Sequence, residues 1–110
     1  MQDLITKWLE YLKHERGYAA HTIDAYNHDL QSFIEFIKQH NGEVASLQDM
    51  ANLGIQTFRS WLTSRKIANY DAASSSRAIS SVRNFYKFFH QVTGLTNNAI
   101  FVLQSPKKSK

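Results

Sequence analysis

The chain has 110 residues, of which 43% are hydrophobic and 20% charged, and its formal net charge is +4. This length fits one small domain with a modest core and argues against two separate domains. The absence of cysteine excludes a disulfide framework and a thiolate metal site, and no apolar run approaches the roughly 20 residues that a membrane-spanning helix needs. We therefore expect a soluble cytoplasmic domain over residues 1–105 that is monomeric in isolation.

Apolar residues at helical spacing predict four main helices. These cover about residues 3–14, 20–40, 54–65 and 72–92, with a short turn near residues 47–51. The segment "NNAIFVL" allows one more short helix, over Asn98 to Leu103, before Pro106. No segment alternates polar and apolar residues with the period of a strand, so the sequence predicts an all-α fold.

The apolar stripes of these helices predict a single core rich in aromatic side chains. Its expected members are Trp8, Leu12, Tyr26, Leu30, Phe33, Phe58, Trp61, Leu62, Val82, Phe85 and Phe89. On the fourth main helix, steps of about 100° per residue place Ala78 and Val92 on the same side as Phe85.

The basic charge lies entirely in the C-terminal third of the chain. Residues 1–71 hold seven cations and nine anions, a net −2, whereas residues 72–110 contain no Asp or Glu and carry +6. These six cations are Arg77, Arg83, Lys87, Lys107, Lys108 and Lys110. A polyanion is therefore expected to meet one side of the domain.

The outer face of the fourth main helix carries only hydroxyls, amides and cations, and we expect no carboxylate to neutralise these cations. Its residues are Ser76, Arg77, Ser80, Arg83, Asn84, Lys87 and Gln91. Short polar side chains allow a close approach to phosphate, the helix N-terminus adds free N–H groups, and Arg or Asn can contact base edges in a major groove. A helix that docks on DNA explains this face. A serine-rich first turn with three solvated cations explains it equally simply, and the face alone leaves both interpretations open.

The outer side of the second main helix has a different character, because Asp24 and Glu35 would repel phosphates. Only its first turn, with His21 and Thr22, could contact DNA. Thr22 is also an ordinary hydroxyl near a helix start, and this alternative stays open.

Four segments together resemble the N-terminal core-binding domain of tyrosine recombinases of the phage-integrase superfamily, most closely its Xer branch. They are "HTIDAYNHDLQSFIEFI", "FRSWL", "SSSRAISSVRNFYKFF" and "PKKSK". Thr22, Tyr26, Asp29 and Leu30 match the pattern of the second helix. Ser74, Arg77, Ile79, Ser80, Arg83 and Phe85 match that of the fourth, with one conservative change. Two departures are Ala19, where a capping serine is usual, and Asn98-Ala99, where Asn-Pro is usual.

The resemblance implies a SAM-like orthogonal four-helix bundle that grips duplex DNA as one half of a clamp. The expected DNA-binding residues are His21, Thr22, Ser74, Ser76, Arg77, Ser80, Arg83, Asn84, Lys87, Lys107 and Lys108. It also implies that residues 106–110 begin a basic linker to a C-terminal catalytic domain absent from this sequence. The expected partners are that domain, duplex DNA and other recombinase protomers.

No catalytic group, metal site or cofactor is expected within the 110 residues. The tyrosines lack the His-x-x-Arg partner of this family, and Gly17 interrupts the helix between His14 and His21, so the histidines do not share one face. An alternative function from another class is a helical protein-interaction or regulatory module whose basic face meets an acidic protein.

Overall fold

The structure is a computed structural model that describes residues 1–106, which form six helices and no strand. The helices are α1 (Gln2–His14), α2 (Ala20–Asn41), α3 (Leu47–Asn52), α4 (Ile55–Ile67), α5 (Ala72–Thr93) and α6 (Ala99–Val102). The all-α prediction is confirmed. The four main predicted helices are α1, α2, α4 and α5, and the two short predicted segments are α3 and α6. No helix in the described part of the chain is long and apolar enough to cross a membrane.

The two longest helices, α2 and α5, end alike but begin differently. Each ends at a glycine in the left-handed region, Gly42 with φ of 80° and Gly94 with φ of 75°. The carboxylate of Asp71 caps α5 by accepting a hydrogen bond from the Ser74 backbone N–H at 2.7 Å. Ala19 precedes α2 and offers no side-chain cap, as its identity predicted.

The core is built around α5, which contacts α1, α2 and α6. Trp8 of α1 packs edge-on against Phe85 of α5, with ring centroids 5.5 Å apart. Phe33 of α2 packs edge-on against Trp61 of α4 at 4.9 Å. Phe58 of α4 packs edge-on against Tyr86 of α5 at 6.2 Å, which links the two pairs. The four main helices thus share one aromatic cluster, which supplies much of the apolar burial that stabilises a domain of this size.

The predicted core needs three corrections. Tyr26 and Leu62 are half-buried, whereas the other expected core members are buried. Val92 is 51% exposed, because it lies in the last turn of α5, beyond the edge of the core. The buried side of α5 is also wider than predicted and includes Ile79 and Phe88, since neighbouring helices cover α5 on several sides.

Candidate nucleic-acid interface

A narrow strip of small and polar residues runs along the outward side of α5 and is here called the α5 strip. It consists of Ala73, Ser76, Ser80, Lys87 and Gln91. Helical steps of about 100° place these five residues in an arc about 60° wide. All of them are exposed except Ser76, which is half-buried. Because its N-terminal half carries only a methyl group and hydroxyls, an elongated ligand could approach the backbone of α5 closely there.

Arg77 lies on the edge of the α5 strip that faces α2, and it forms an ion pair with Asp29. Its Nε donates to Oδ2 of Asp29 and its Nη2 to Oδ1, both at 3.0 Å. The Arg77 side chain is 48% exposed, while that of Asp29 is only 2% exposed. The hydrogen bond to Asp29 raises the pKa of Arg77. The expectation that no carboxylate neutralises a cation of this face is therefore wrong for Arg77, because α2 supplies one from across the helix pair.

Arg83 lies on the opposite edge of the α5 strip and contacts the C-terminal end of the described chain. Its Nε donates to the carbonyl oxygen of Ile100 at 3.0 Å, and its Nη2 donates to the carbonyl oxygen of Leu103. These carbonyls lie at the end of α6, where helix geometry leaves them without partners in the helix. Arg83 is half-buried and tethers α6 to α5, so it is not the fully outward cation that the helical pattern predicted.

Asn84 is also engaged within the domain. Its Oδ1 accepts a hydrogen bond from Nε1 of Trp8 at 2.9 Å, and its Nδ2 donates to the hydroxyl of Tyr18 at 3.3 Å. The amide thereby satisfies the polar edge of a buried tryptophan. One acceptor lone pair and one N–H of the amide have no hydrogen-bond partner among residues 1–106.

A cleft of about 180 Å³ adjoins the C-terminal half of the α5 strip. Its lining residues are Tyr11, Arg16, Tyr18, Asn84, Lys87, Phe88 and Gln91. The cleft places the cations Arg16 and Lys87 around one depression, and both are exposed. Arg16 was not predicted as a site residue, because it follows α1 in sequence and nothing in its surroundings there relates it to α5.

Arg65 of α4 is a second cation that sequence analysis missed. It is only 5% exposed, and it donates from Nε to the Ser75 hydroxyl at 3.0 Å and from Nη2 to the Ser74 hydroxyl at 3.1 Å. Its guanidinium lies over the ring of Tyr70, 4.1 Å from the centroid. Burial lowers its pKa, and the nearby charge of Asp29 partly opposes that shift. A buried arginine therefore lies beside the N-terminal turn of α5.

The remaining predicted site residues lie near the starts of α2 and α5 or outside the described residues. In the first turn of α2, His21 is exposed and Thr22 is half-buried. Ser74 is half-buried and accepts its hydrogen bond from Arg65. Lys107 and Lys108 lie outside the described residues.

Two further features of the described residues concern clustered metal ligands and the surroundings of the tyrosines. No cluster of three or more His, Asp or Glu side chains between residues 1 and 106 could hold a metal ion. The most buried tyrosine, Tyr86, donates its hydroxyl to the carbonyl oxygen of Met50 at 2.8 Å, and burial raises its pKa. That environment disfavours a phenolate, which a tyrosine nucleophile would need.

The fold and the surface together define the class of this protein. It is a small all-α domain that carries a long, basic helix without carboxylates. The sequence profile of the family described as "Phage integrase, N-terminal SAM-like domain" matches residues 5–91. The chain therefore belongs to this family, and the resemblance predicted from its sequence is confirmed.

The similar curated proteins are tyrosine recombinases. The protein named Tyrosine recombinase XerC of Rickettsia conorii (strain ATCC VR-613 / Malish 7) is 42% identical over 110 residues. Those of Rickettsia felis (strain ATCC VR-1525 / URRWXCal2) and Rickettsia canadensis (strain McKiel) are 41% and 40% identical. Each alignment covers 100% of this chain but only 36% of the relative. No solved structure gives a significant match.

Proposed function

We propose that this chain is the DNA-binding N-terminal domain of a site-specific tyrosine recombinase and grips duplex DNA as one half of a clamp. The observation that carries the proposal is the α5 strip, which exposes hydroxyls, an amide and a lysine on a helix with no Asp or Glu between residues 72 and 93. Ordinary solvated helices gain a few tenths of a kcal/mol from mixed charges, and α5 forgoes that gain.

The geometry favours duplex DNA over an acidic protein as the ligand. The α5 strip is long and narrow, and a 22-residue helix spans about 33 Å, roughly one turn of duplex. Its N-terminal half is slim enough to enter a major groove, while its other half includes Lys87 and lies beside Arg16. His21 and Thr22 would contribute to the same grip only if the first turn of α2 reaches the backbone.

In this proposal, strand cleavage belongs to a catalytic domain that would follow residue 106, with residues 106–110 as a basic linker. Lys107 and Lys108 would then follow the DNA backbone toward that domain. Other recombinase protomers are the further partners of the assembled protein, and its location is the cytoplasm. The domain itself neither nicks nor relaxes supercoiled DNA.

The test is titration of the 110-residue chain with a labelled duplex at several salt concentrations. We expect a Kd on the order of 10⁻⁴ to 10⁻⁶ M and a log–log salt slope of about −4, because about four phosphate contacts each contribute about −0.9. Amide chemical shifts then locate the surface. Perturbation confined to α1 and α4, with α5 unchanged, would overturn the proposal in favour of a protein-interaction module.

A further inference from the structure

The ion pair between Asp29 and Arg77 has an unusual distribution of exposure. The carboxylate is buried and the guanidinium is half-exposed, so the pair lies at the surface with its anion turned inward. Asp29 is the α2 residue of the pair, and all three of its side-chain hydrogen bonds come from α5. Two are from Arg77, and the third is from the Ser81 hydroxyl, which lies 2.9 Å from Oδ2.

These bonds fix the orientation of the guanidinium. Asp29 takes the edge formed by Nε and Nη2, which is the side-on bidentate geometry. The second edge, formed by one N–H of Nη1 and one of Nη2, has no hydrogen-bond partner among residues 1–106. A planar guanidinium held on one edge presents the other edge as a preformed pair of donors.

Stability alone does not account for this pair. Removing a carboxylate from water costs several kcal/mol, and well-packed apolar residues of similar volume often serve a fold as well or better. Arg77 also occupies the edge of the α5 strip, next to Ser76 and Ser80. The pair therefore holds a cation at the border of the candidate interface.

Asp29 also lies near a second arginine. The buried guanidinium of Arg65 lies close enough for the charge of Asp29 to influence its pKa, and it contacts Ser74 and Ser75 in the first turns of α5. The carboxylate of Asp71 caps the same helix start, so this end of α5 holds two arginines and two carboxylates.

We propose that Asp29 is a positioning residue that holds Arg77 ready to donate two parallel hydrogen bonds to duplex DNA. This inference rests on the proposed function. The ligand is a pair of adjacent acceptors, either two oxygens of one phosphate or O6 and N7 of a guanine. Ser81 acts with Asp29 by fixing its carboxylate.

The decisive comparison is Asp29→Asn with Asp24→Asn, measured by anisotropy of a labelled duplex. Both variants remove one negative charge from α2, and Asp24 is exposed and outside the ion pair. Net charge alone predicts that both bind DNA more tightly. A positioning role of Asp29 predicts that the two variants change the affinity for DNA in opposite directions. Asp29→Asn should bind about fivefold to tenfold more weakly, as expected for partial loss of one bidentate contact, while Asp24→Asn binds as well as the parent chain or slightly better.

A second variant covers the case in which Asp29→Asn does not fold, as judged by its thermal unfolding. Arg77→Lys keeps the charge but cannot hold two parallel donors. The affinity of Arg77→Lys for the duplex should fall by a similar factor. In the parent chain, the NMR resonance of the Arg77 Nε–H group should be resolved and should shift when the duplex is added. Equal losses on all duplexes indicate phosphate, whereas a loss confined to duplexes with a guanine at one position indicates a base edge.

The outcomes separate the two proposals. If the parent chain binds DNA and Asp29→Asn binds as tightly as Asp24→Asn, or Arg77→Lys binds as tightly as the parent chain, the positioning role is overturned and the proposed function stands. If the parent chain shows no salt-dependent binding, both fall.

Discussion

The helices α2 and α5 have the same length of 22 residues, bury one side and end at a glycine, yet their outward faces differ. α2 exposes the carboxylates Asp24 and Glu35, whereas α5 contains no carboxylate. The two helices thus pack in a similar way, but only α2 exposes carboxylates. The contrast shows that the outward face of α5 is not dictated by folding, because α2 folds with an ordinary mixture of charges.

The starts of the two helices differ as well. α5 is capped by Asp71, while α2 begins after Ala19 without a side-chain cap. The first turn of α5 is further held by Arg65, which hydrogen-bonds the hydroxyls of Ser74 and Ser75. The N-terminus of α5 is therefore the better fixed of the two, as an interface that relies on backbone position requires.

The largest expected effect comes from placing a carboxylate on the outward face of α5, as α2 has on its own outward face. Ser80→Glu places a carboxylate in the middle of the α5 strip at an exposed position with good helix propensity, so the fold should survive. Duplex affinity should fall by more than about tenfold, because like charges facing each other across an interface cost up to several kcal/mol. Anisotropy titration measures this loss.

The matched control is Gln39→Glu, which adds the same charge at an exposed position near the end of α2. It should weaken binding less than about twofold, since charges more than about 8 Å from the DNA are largely screened at physiological salt. Equal losses in the two variants would mean that only net charge matters, and the contrast between the helices would have no functional meaning.

The next effect concerns the helix starts and is measured by thermal or urea unfolding. Asp71→Ala should lower the free energy of unfolding by about 1 kcal/mol, the usual cost of losing a side-chain cap. Ala19→Ser should raise it by a similar or smaller amount, because the backbone at position 19 already has the extended conformation of a capping residue. A neutral result for both would show that tertiary packing, and not capping, fixes these starts.

The main helices are predictable from the sequence because each carries a long apolar stripe. The strongest example is the stripe of Leu30, Phe33 and Ile37 on α2, all of which are fully buried. Periodicity reports which side of a helix is covered, but not by which neighbour. It therefore missed how widely α5 is buried.

The same limitation explains what sequence analysis missed in the candidate site. The helical pattern placed Arg77 and Arg83 on an outer face, but the pairing of Arg77 with Asp29 joins residues 48 positions apart, and the contacts of Arg83 reach back from α6. Such partners become visible only when the helices are packed. The sequence did contain one indication of this ion pair. Asp29 directly precedes Leu30 of the buried stripe on α2, and a buried carboxylate needs a hydrogen-bonding or charged partner.

Lys87 is the clearest test of a free cation on α5. Lys87→Gln should reduce the magnitude of the log–log salt slope by about 0.9, the value of one phosphate contact. Arg83→Gln is not an equivalent test, because it also releases α6. Lys38→Gln, at an exposed position of α2, is the control and should leave the slope unchanged. A slope that falls equally in both variants would remove the distinction between the two helices.

The smallest effect is expected on the outward face of α2. Asp24→Ala should bind duplex unchanged or up to about twofold more tightly with the same salt slope, because a screened surface carboxylate repels phosphate without forming a contact. Glu35→Ala should change less, since Glu35 lies 11 residues further along α2, or about 16 Å, which exceeds the screening length of about 8 Å. If Asp24→Ala instead weakens binding more than about twofold, Asp24 accepts a hydrogen bond from the DNA, as a carboxylate can from cytosine N4. The outer face of α2 would then belong to the interface, and the two helices would share the grip.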